Sequence, residues 1–377
     1  MIAIGLAAVA ASANAQSKAS APPVNSPEFN DSHFHLTNYI QEGADIRNVL
    51  RLMANTVGRS TLFGIPLQQQ WSHRITGDFA PRYYLDTDAP LYYYSFTDAY
   101  IAAVYRSLTP EQQNRFDPMI TGFNPTDMYA ADHIRRVLQT FPGVFTGIGE
   151  FTIHKEFVSS KITGDKASLT DPALERLLDF AGEVGLVSII HNDIATPFFK
   201  PTALSSNPTP YEVGRGTGEA VEPINLTRMK ELLRRHQRTT IIWAHMGLGR
   251  IIQPIHHHAD IIEGILADSA FSHVYFDISW DEVAKYVVQS PATAQRAAAM
   301  INHYPDRFLF GTDVVAPADT TNYFKTFRMY GPLWALLTPD TRAKVSRLNY
   351  ERIFDAARQR VRAWEKAHPA GARSERE

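Results

Sequence analysis

The chain has no cysteine in 377 residues. That excludes disulfides, thiolate metal sites and cysteine nucleophiles, so any bound metal must be held by His, Asp or Glu. An excess of one charge sign is also missing: Lys plus Arg number 37 and Asp plus Glu 39, a formal net charge of −2. Such a balance offers no general attraction to phosphate backbones and argues against nucleic acid as a partner. No GxSxG elbow and no Walker lysine motif occurs, which removes serine hydrolases and P-loop enzymes of the usual form. The N-terminal apolar run, Ile2–Ala11, is about ten residues long, too short to span a bilayer. With Ala13-Asn14-Ala15 behind it, it reads as a signal peptide over residues 1–15, cleaved before Gln16, although no Lys or Arg precedes the run. The expectation is an exported chain, periplasmic or secreted, with no membrane contact after cleavage. The polar, Pro-containing stretch 16–27 reads as a linker.

What is present suits one large domain. Hydrophobic residues make up 44% and charged residues 20%, enough for a sizeable core and without a disorder signature. Eight short apolar runs recur along the chain: Phe29–Leu36, Thr61–Leu67, Phe116–Phe123, Val144–Glu150, Leu186–His191, Thr239–His245, His273–Ile278 and Phe308–Asp313. Between several of them lie apolar residues at helical spacing. Ala131, Ile134, Val137 and Leu138 form one such set. Leu174, Leu177, Leu178 and Ala181 form another, behind a Thr170-Asp171-Pro172 start, and Met229, Leu232, Leu233 and His236 a third. Strand-helix alternation implies a parallel sheet, and eight repeats suggest closure. The expected fold is therefore α/β, a single (β/α)8 TIM barrel over residues 28–360, with a charged, disordered tail over 361–377. Two long connections interrupt the pattern. Residues 68–115, after strand two, hold seven of the sixteen tyrosines, among them Tyr83, Tyr84, Tyr92, Tyr93 and Tyr94; residues 192–224, after strand five, are rich in Pro, Gly and Thr. Both follow strands and so belong on the face where barrel active sites lie.

The strand ends carry the chemistry. Strand one ends Asp31-Ser32-His33-Phe34-His35. Side chains two apart on a strand share a face, so His33 and His35 point together into the barrel mouth, where two imidazoles can grip one metal ion. Strand four ends in Glu150, strand five in His191, strand six in His245 and strand eight in Asp313. Alone, each is more readily a satisfied polar group or the cap of the next helix. Together, one potential ligand closing each of several strands in turn points to a metal site.

This pattern resembles the amidohydrolase superfamily, in particular its amidohydrolase-related branch, which also contains decarboxylases. The likeness runs from about Phe29 to Ala357 and includes Ile120-Thr121-Gly122-Phe123-Asn124-Pro125, Phe310-Gly311-Thr312-Asp313 and Asn349-Tyr350-Glu351-Arg352-Ile353-Phe354. The resemblance implies that His33, His35, His191 and Asp313 bind one metal. It leaves His245 as a catalytic acid or base, or as a ligand of a second metal. Glu150 would bridge two ions in a two-metal member; as a strand-end cap or hydrogen-bond acceptor it would touch none.

From those ligands a divalent transition ion is expected, one or two per chain, with Zn2+ the default among metals that suit His and Asp donors. Asp313 is the expected general base, and the metal with protonated His245 would polarise the scissile carbonyl. The expected activity is metal-dependent hydrolysis of a C–N, C–O or lactone bond in a small-molecule substrate. A metal-dependent non-oxidative decarboxylase and a non-catalytic metal-binding protein are the alternatives, and self-association is left open. Other features read as bland: His256-His257-His258 as a solvated loop or helix start, Arg250 as either an anion contact or surface, the Gly214–Gly218 loop as a source of mobility, and Lys155 as a solvated lysine ahead of the alternative that it takes part in the site.

Overall fold

The computed structural model describes residues 26–38, 42–65, 96–155, 168–194, 224–249 and 258–370, with the backbone of four two-residue strands outside those ranges. The expected signal peptide, nearly all of the linker, Tyr83, Tyr84, Tyr92 to Tyr94, most of the 192–224 connection, Arg250, His256 and His257 lie outside the described residues.

The barrel strands are all parallel and follow chain order. Strand one comes in two pieces, Phe29–Asp31 and Phe34–Thr37. Strands two to seven are Val57–Gly64, Phe116–Ile120, Gly147–His154, Val187–Asn192, Thr240–Trp243 and Val274–Asp277. Strand eight is also split, into Phe308–Leu309 and Val314–Val315. Its first piece pairs with strand seven (Phe276 opposite Phe308), its second with strand one (Val314 opposite Phe34), and this pairing closes the ring. The (β/α)8 barrel expected from the repeats is thus the observed architecture.

Alternation along the strands builds two cores. Val187, Ile189, Ile242, Met119, Phe63 and Leu309 face the barrel interior and pack with Tyr350, Ile353, Phe354 and Ala357 of the last helix, Asn349–Ala367. That helix plugs the end where the strands begin: Asn349 Nδ2 donates to Phe308 O and Tyr350 Oη to Asp117 of strand three, each within 2.8 Å. Ile190, Ile241, Trp243 and Phe276 face outward into a larger cluster shared with the surrounding helices. The helices form where the spacing placed them. Ala130–Thr140 buries Ala131, Ile134, Val137 and Leu138, and Pro172–Val184 starts behind an Asp171 carboxylate that accepts from Ala173 N.

The C-terminal boundary needs correcting. The tail expected from residue 361 begins inside the last helix, where Val361 and Trp364 are buried; their spacing from Ile353 and Ala357 continues the helix's apolar stripe. Tyr100 and Tyr105, within the tyrosine-rich stretch, lie on the helix Phe96–Arg106 and pack half-buried against the outer core.

Candidate metal centre

Each functional side chain is aimed by a local device. His33 lies in the break in strand one and His35 in its second piece, and both are buried. The break is held by Asp31, whose carboxylate accepts from His33 N (3.2 Å), Thr312 N (2.8 Å) and Thr312 Oγ1 (2.7 Å), latching strand one to strand eight. Burial still pushes the Asp31 carboxyl up to about 6 against those bonds. Gly311 permits the close approach: a Cβ there would lie 2.6 Å from His33 Cβ. Asp313 then sits at φ 53°, in the left-handed region, with its N–H donated to His33 O at 2.8 Å. His245 and Met246, just past strand six, have φ of 56° and 53°. Non-glycine residues held there cost of order 1–3 kcal/mol each, and such strain gathers at functional sites. Here it is countered by Asp277, which accepts from His245 N at 2.7 Å, and by His258, which donates from Nε2 to Met246 O at 3.0 Å.

Glu150 is turned inward by a bulge. In the register of strands four and five, Ser188 faces Ile148 but Ile190 faces Phe151, so strand four carries one extra residue at Gly149-Glu150. Simple alternation from Ile148, which packs outward, would send Glu150 outward as well. The bulge re-aims it.

These devices bring all six expected residues together. Donor atoms of His33, His35, Glu150 and Asp313 lie within 4.8 Å of one another. Asp313 Oδ1 is 3.1 Å from His35 Nε2 and 3.4 Å from His33 Nε2, while Glu150 Oε2 is 3.7 and 3.8 Å from the same two atoms. Glu150 Oε1 faces the other way, 2.6 Å from His191 Nδ1 and 3.3 Å from His245 Nε2. A second group of mutually close donors, Glu150, His191 and His245, therefore shares its carboxylate with the first.

The arrangement differs from the resemblance in one respect. His191 stands with Glu150 and His245, and both its ring nitrogens face carboxylates, Nδ1 to Glu150 and Nε2 to Asp193 at 2.9 Å. Carboxylates only accept, so both nitrogens donate. Burial and Lys155 pull the His191 pKa down, but Asp193 and Glu150 outweigh them and lift it to about 9. As a metal ligand, His191 would have to surrender one of these protons.

Electrostatics favour positive charge at the centre of the cluster. Burial pulls His33 down, but Asp313, Asp277 and Glu150 hold it well above the usual histidine value. Burial would raise Glu150 and Asp313; instead Lys155 and the histidines hold Glu150 well below the carboxylate range, and His33, His35 and His245 do the same for Asp313. His33 Nε2 is buried with no hydrogen-bond partner, aimed at the space between Asp313 and Glu150. An orphaned imidazole nitrogen between two ionised carboxylates is what a divalent cation would complete, and the donor set fits one. His245 is the exception: burial outweighs Glu150, Asp313 and Asp277 and lowers its pKa.

Two residues escaped the sequence reading and a third was misplaced by it. Asp277 ends strand seven and takes His33 Nδ1 at 3.0 Å; its signal was the one already used elsewhere, an apolar run, Val274-Tyr275-Phe276, closed by a carboxylate. Asp193, two residues past His191, was legible by the same period-two spacing. Lys155 corrects its reading as a solvated residue: it is only 5% exposed, its Nζ lying 3.9 Å from Glu150 Oε1 and 5.3 Å from the centre of the Trp280 ring. His258 does start a helix, His258–Ala267, but its side chain is buried rather than solvated.

The cluster opens into a cavity of about 390 Å³ lined by His35, Glu150, Lys155, Trp280, Thr312 and Asp313, among others. A barrel with histidines and carboxylates gathered at its strand ends can be set beside known proteins. A profile of the amidohydrolase family matches residues 31–356. The chain belongs to that family. Among curated proteins none matches the sequence significantly. Solved structures share the fold at low identity. 2,6-Dihydroxybenzoate decarboxylase from Rhizobium is 16% identical, with a TM-score of 0.50 over 87% of this chain and 99% of its own. A TIM-barrel protein from Bordetella bronchiseptica is 14% identical, with a TM-score of 0.50 over 87% and 99%. A putative 2-pyrone-4,6-dicarboxylic acid hydrolase from Pseudomonas putida is 14% identical, with a TM-score of 0.49 over 87% and 97%. The two likenesses with a TM-score of 0.50 support the fold and say nothing of the reaction.

Proposed function

We propose that this amidohydrolase-family chain is a metal-dependent hydrolase acting on a C–N, C–O or lactone bond of a small molecule. One observation carries the reading: His33, His35, Glu150 and Asp313 converge within 4.8 Å at the base of a cavity of substrate size, with Glu150 shared by His191 and His245. A divalent ion bound there, with zinc the first candidate, acidifies water and polarises a carbonyl. Asp313 is the acceptor for the water's proton. It lines the cavity wall, its side chain is 11% exposed, and the surrounding imidazoles keep it ionised. The same carboxyl returns the proton to the leaving group. Trp280 and Ile65 give the cavity apolar wall, and buried Lys155 places positive charge beside Glu150. The shared position of Glu150 supports a two-metal form, which favours attack by water over decarboxylation.

The test is to purify the protein metal-free, reconstitute it, measure metal content, and assay esters, lactones, amides and aromatic acids for both hydrolysis and carbon dioxide release. Bound metal with hydrolysis supports the reading. Release of carbon dioxide without any hydrolysis moves the assignment to decarboxylation, and failure to bind any transition ion removes it.

A further inference from the structure

We propose that Asp277 and Ser279 form a buried relay that fixes which ring nitrogen of His33 and His245 carries the proton, and so presents both Nε2 lone pairs to the metal centre. Neither residue needs to touch metal or substrate. Both are positioning residues, and the inference rests on the reading above that His33 and His245 serve that centre.

The relay follows from counting protons. Asp277 is fully buried, and its two oxygens meet two backbone N–H groups, a hydroxyl and an imidazole nitrogen, all able to donate, so it serves as the acceptor. Its Oδ2 lies 3.0 Å from His33 Nδ1, so that nitrogen carries hydrogen and Nε2 is left for a cation. Its Oδ1 accepts from His245 N at 2.7 Å, Ser279 N at 3.2 Å and Ser279 Oγ at 2.5 Å. Ser279 has one hydroxyl proton, and the carboxylate takes it. Toward His245 Nδ1, 2.7 Å away, the serine oxygen can then only accept. His245 then carries its proton at Nδ1, and Nε2, 3.3 Å from Glu150 and 3.9 Å from Asp313, is the atom left for a cation lying between them.

Reversing the His33 tautomer would set its Nδ1 lone pair against an Asp277 oxygen, and reversing that of His245 would turn the Ser279 hydroxyl proton away from buried Asp277. The device also couples two ligands from strands one and six, whose rings stack 5.0 Å apart. Hydrogen bonds of this kind commonly tune metal affinity by roughly 10–100-fold. Asp277 is close enough to His33 and His245 to be a ligand itself, but its oxygens already accept from these donors, and that places it behind the imidazoles.

Asp277→Asn and Ser279→Ala test the relay in the full chain with zinc as probe. Zinc affinity is measured by competition with a chromophoric chelator, and the tautomers by 15N NMR of the imidazoles in metal-free protein. The expected result is weaker zinc binding in Asp277→Asn, about 10–100-fold, a smaller loss in Ser279→Ala, and a His245 ring that shifts toward the Nε2–H form in both. Wild-type affinity and tautomer in both variants overturn the proposal. So does a complete loss of one ion in Asp277→Asn with Ser279→Ala unchanged, which would make Asp277 a ligand. If Asp277→Asn does not fold, Ser279→Ala decides alone: an unaltered His245 tautomer refutes the relay. A wild-type chain that binds no zinc sinks the metal reading, yet the tautomers of the metal-free protein still test the relay separately.

Discussion

Replacing Gly149 by alanine tests the bulge that turns Glu150 into the site. The added methyl would lie 2.6 Å from Thr121 Cγ2 and 2.8 and 3.1 Å from Phe63 Cγ and Cβ. Thr121 and Phe63 are both fully buried, so neither can retreat into solvent. Overpacking of a dense interior costs about 1–3 kcal/mol. Against it stands the reduced chain entropy of alanine in the unfolded state, worth about 0.4–1 kcal/mol, so the net change is a loss of stability. The displaced neighbour matters as much as the loss itself: the Phe63 ring lies 4.7 Å from that of His35 and 5.6 Å from that of His33. Gly149→Ala should lower stability by about 1 kcal/mol net, near the middle of those ranges, read as a lower urea midpoint at unchanged m-value, and weaken zinc binding. Adding Thr121→Ser removes one of the clashing methyls and should recover part of the stability but little of the metal affinity, because Phe63 is still pushed. A variant as stable as wild type, with the same zinc affinity, would show that the bulge does not rest on this packing.

Three other outcomes follow from the same geometry. If Glu150 bridges two ions, wild type should approach two metals per chain by elemental analysis and Glu150→Gln should lose one; a stoichiometry fixed at one under excess metal leaves Glu150 a hydrogen-bond acceptor. At the opposite end of the barrel, buried Asp117 accepts from Arg59, Arg358 and Tyr350, so Asp117→Asn should cost about 3–5 kcal/mol by denaturant unfolding and leave metal content intact; an unchanged midpoint contradicts this. Burial holds His258 down at about 4 against 6.5 for an ordinary histidine. Between those values the unfolded chain binds the extra proton, so the contribution is complete above pH 6.5 and declines as pH falls, by about 1.4 kcal/mol per unit. His258→Gln, which keeps a donor for Met246 O, should flatten that acid sensitivity, and identical acid unfolding of variant and wild type would refute it.

Much of this was legible before the structure because it depends on local periodicity. Eight apolar runs of strand length specify a parallel barrel, and the four that close on Glu150, His191, His245 and Asp313 say which end of it holds the chemistry. His33 and His35 are two apart on a strand, and their shared direction needs no tertiary information. The same period-two logic places His191 inside the barrel with Val187 and Ile189. Where regular alternation broke, the reading lost its footing. Glu150 points inward only because strand four carries an extra residue relative to strand five, and a bulge is a property of two strands, invisible in either alone.

The sequence by itself therefore determined the fold, the strand ends and the identity of the converging donors, since hydrophobic period and residue chemistry are written along the chain. Tertiary structure alone decided how those donors are grouped and charged. It paired His191 with Glu150 and Asp193, buried Lys155 beside Glu150, and set Asp277 of strand seven between His33 and His245. Those relations join residues up to 244 positions apart. They depend on burial, where removing water makes each missing or present hydrogen bond count, and neither distance nor dielectric can be read from residue order.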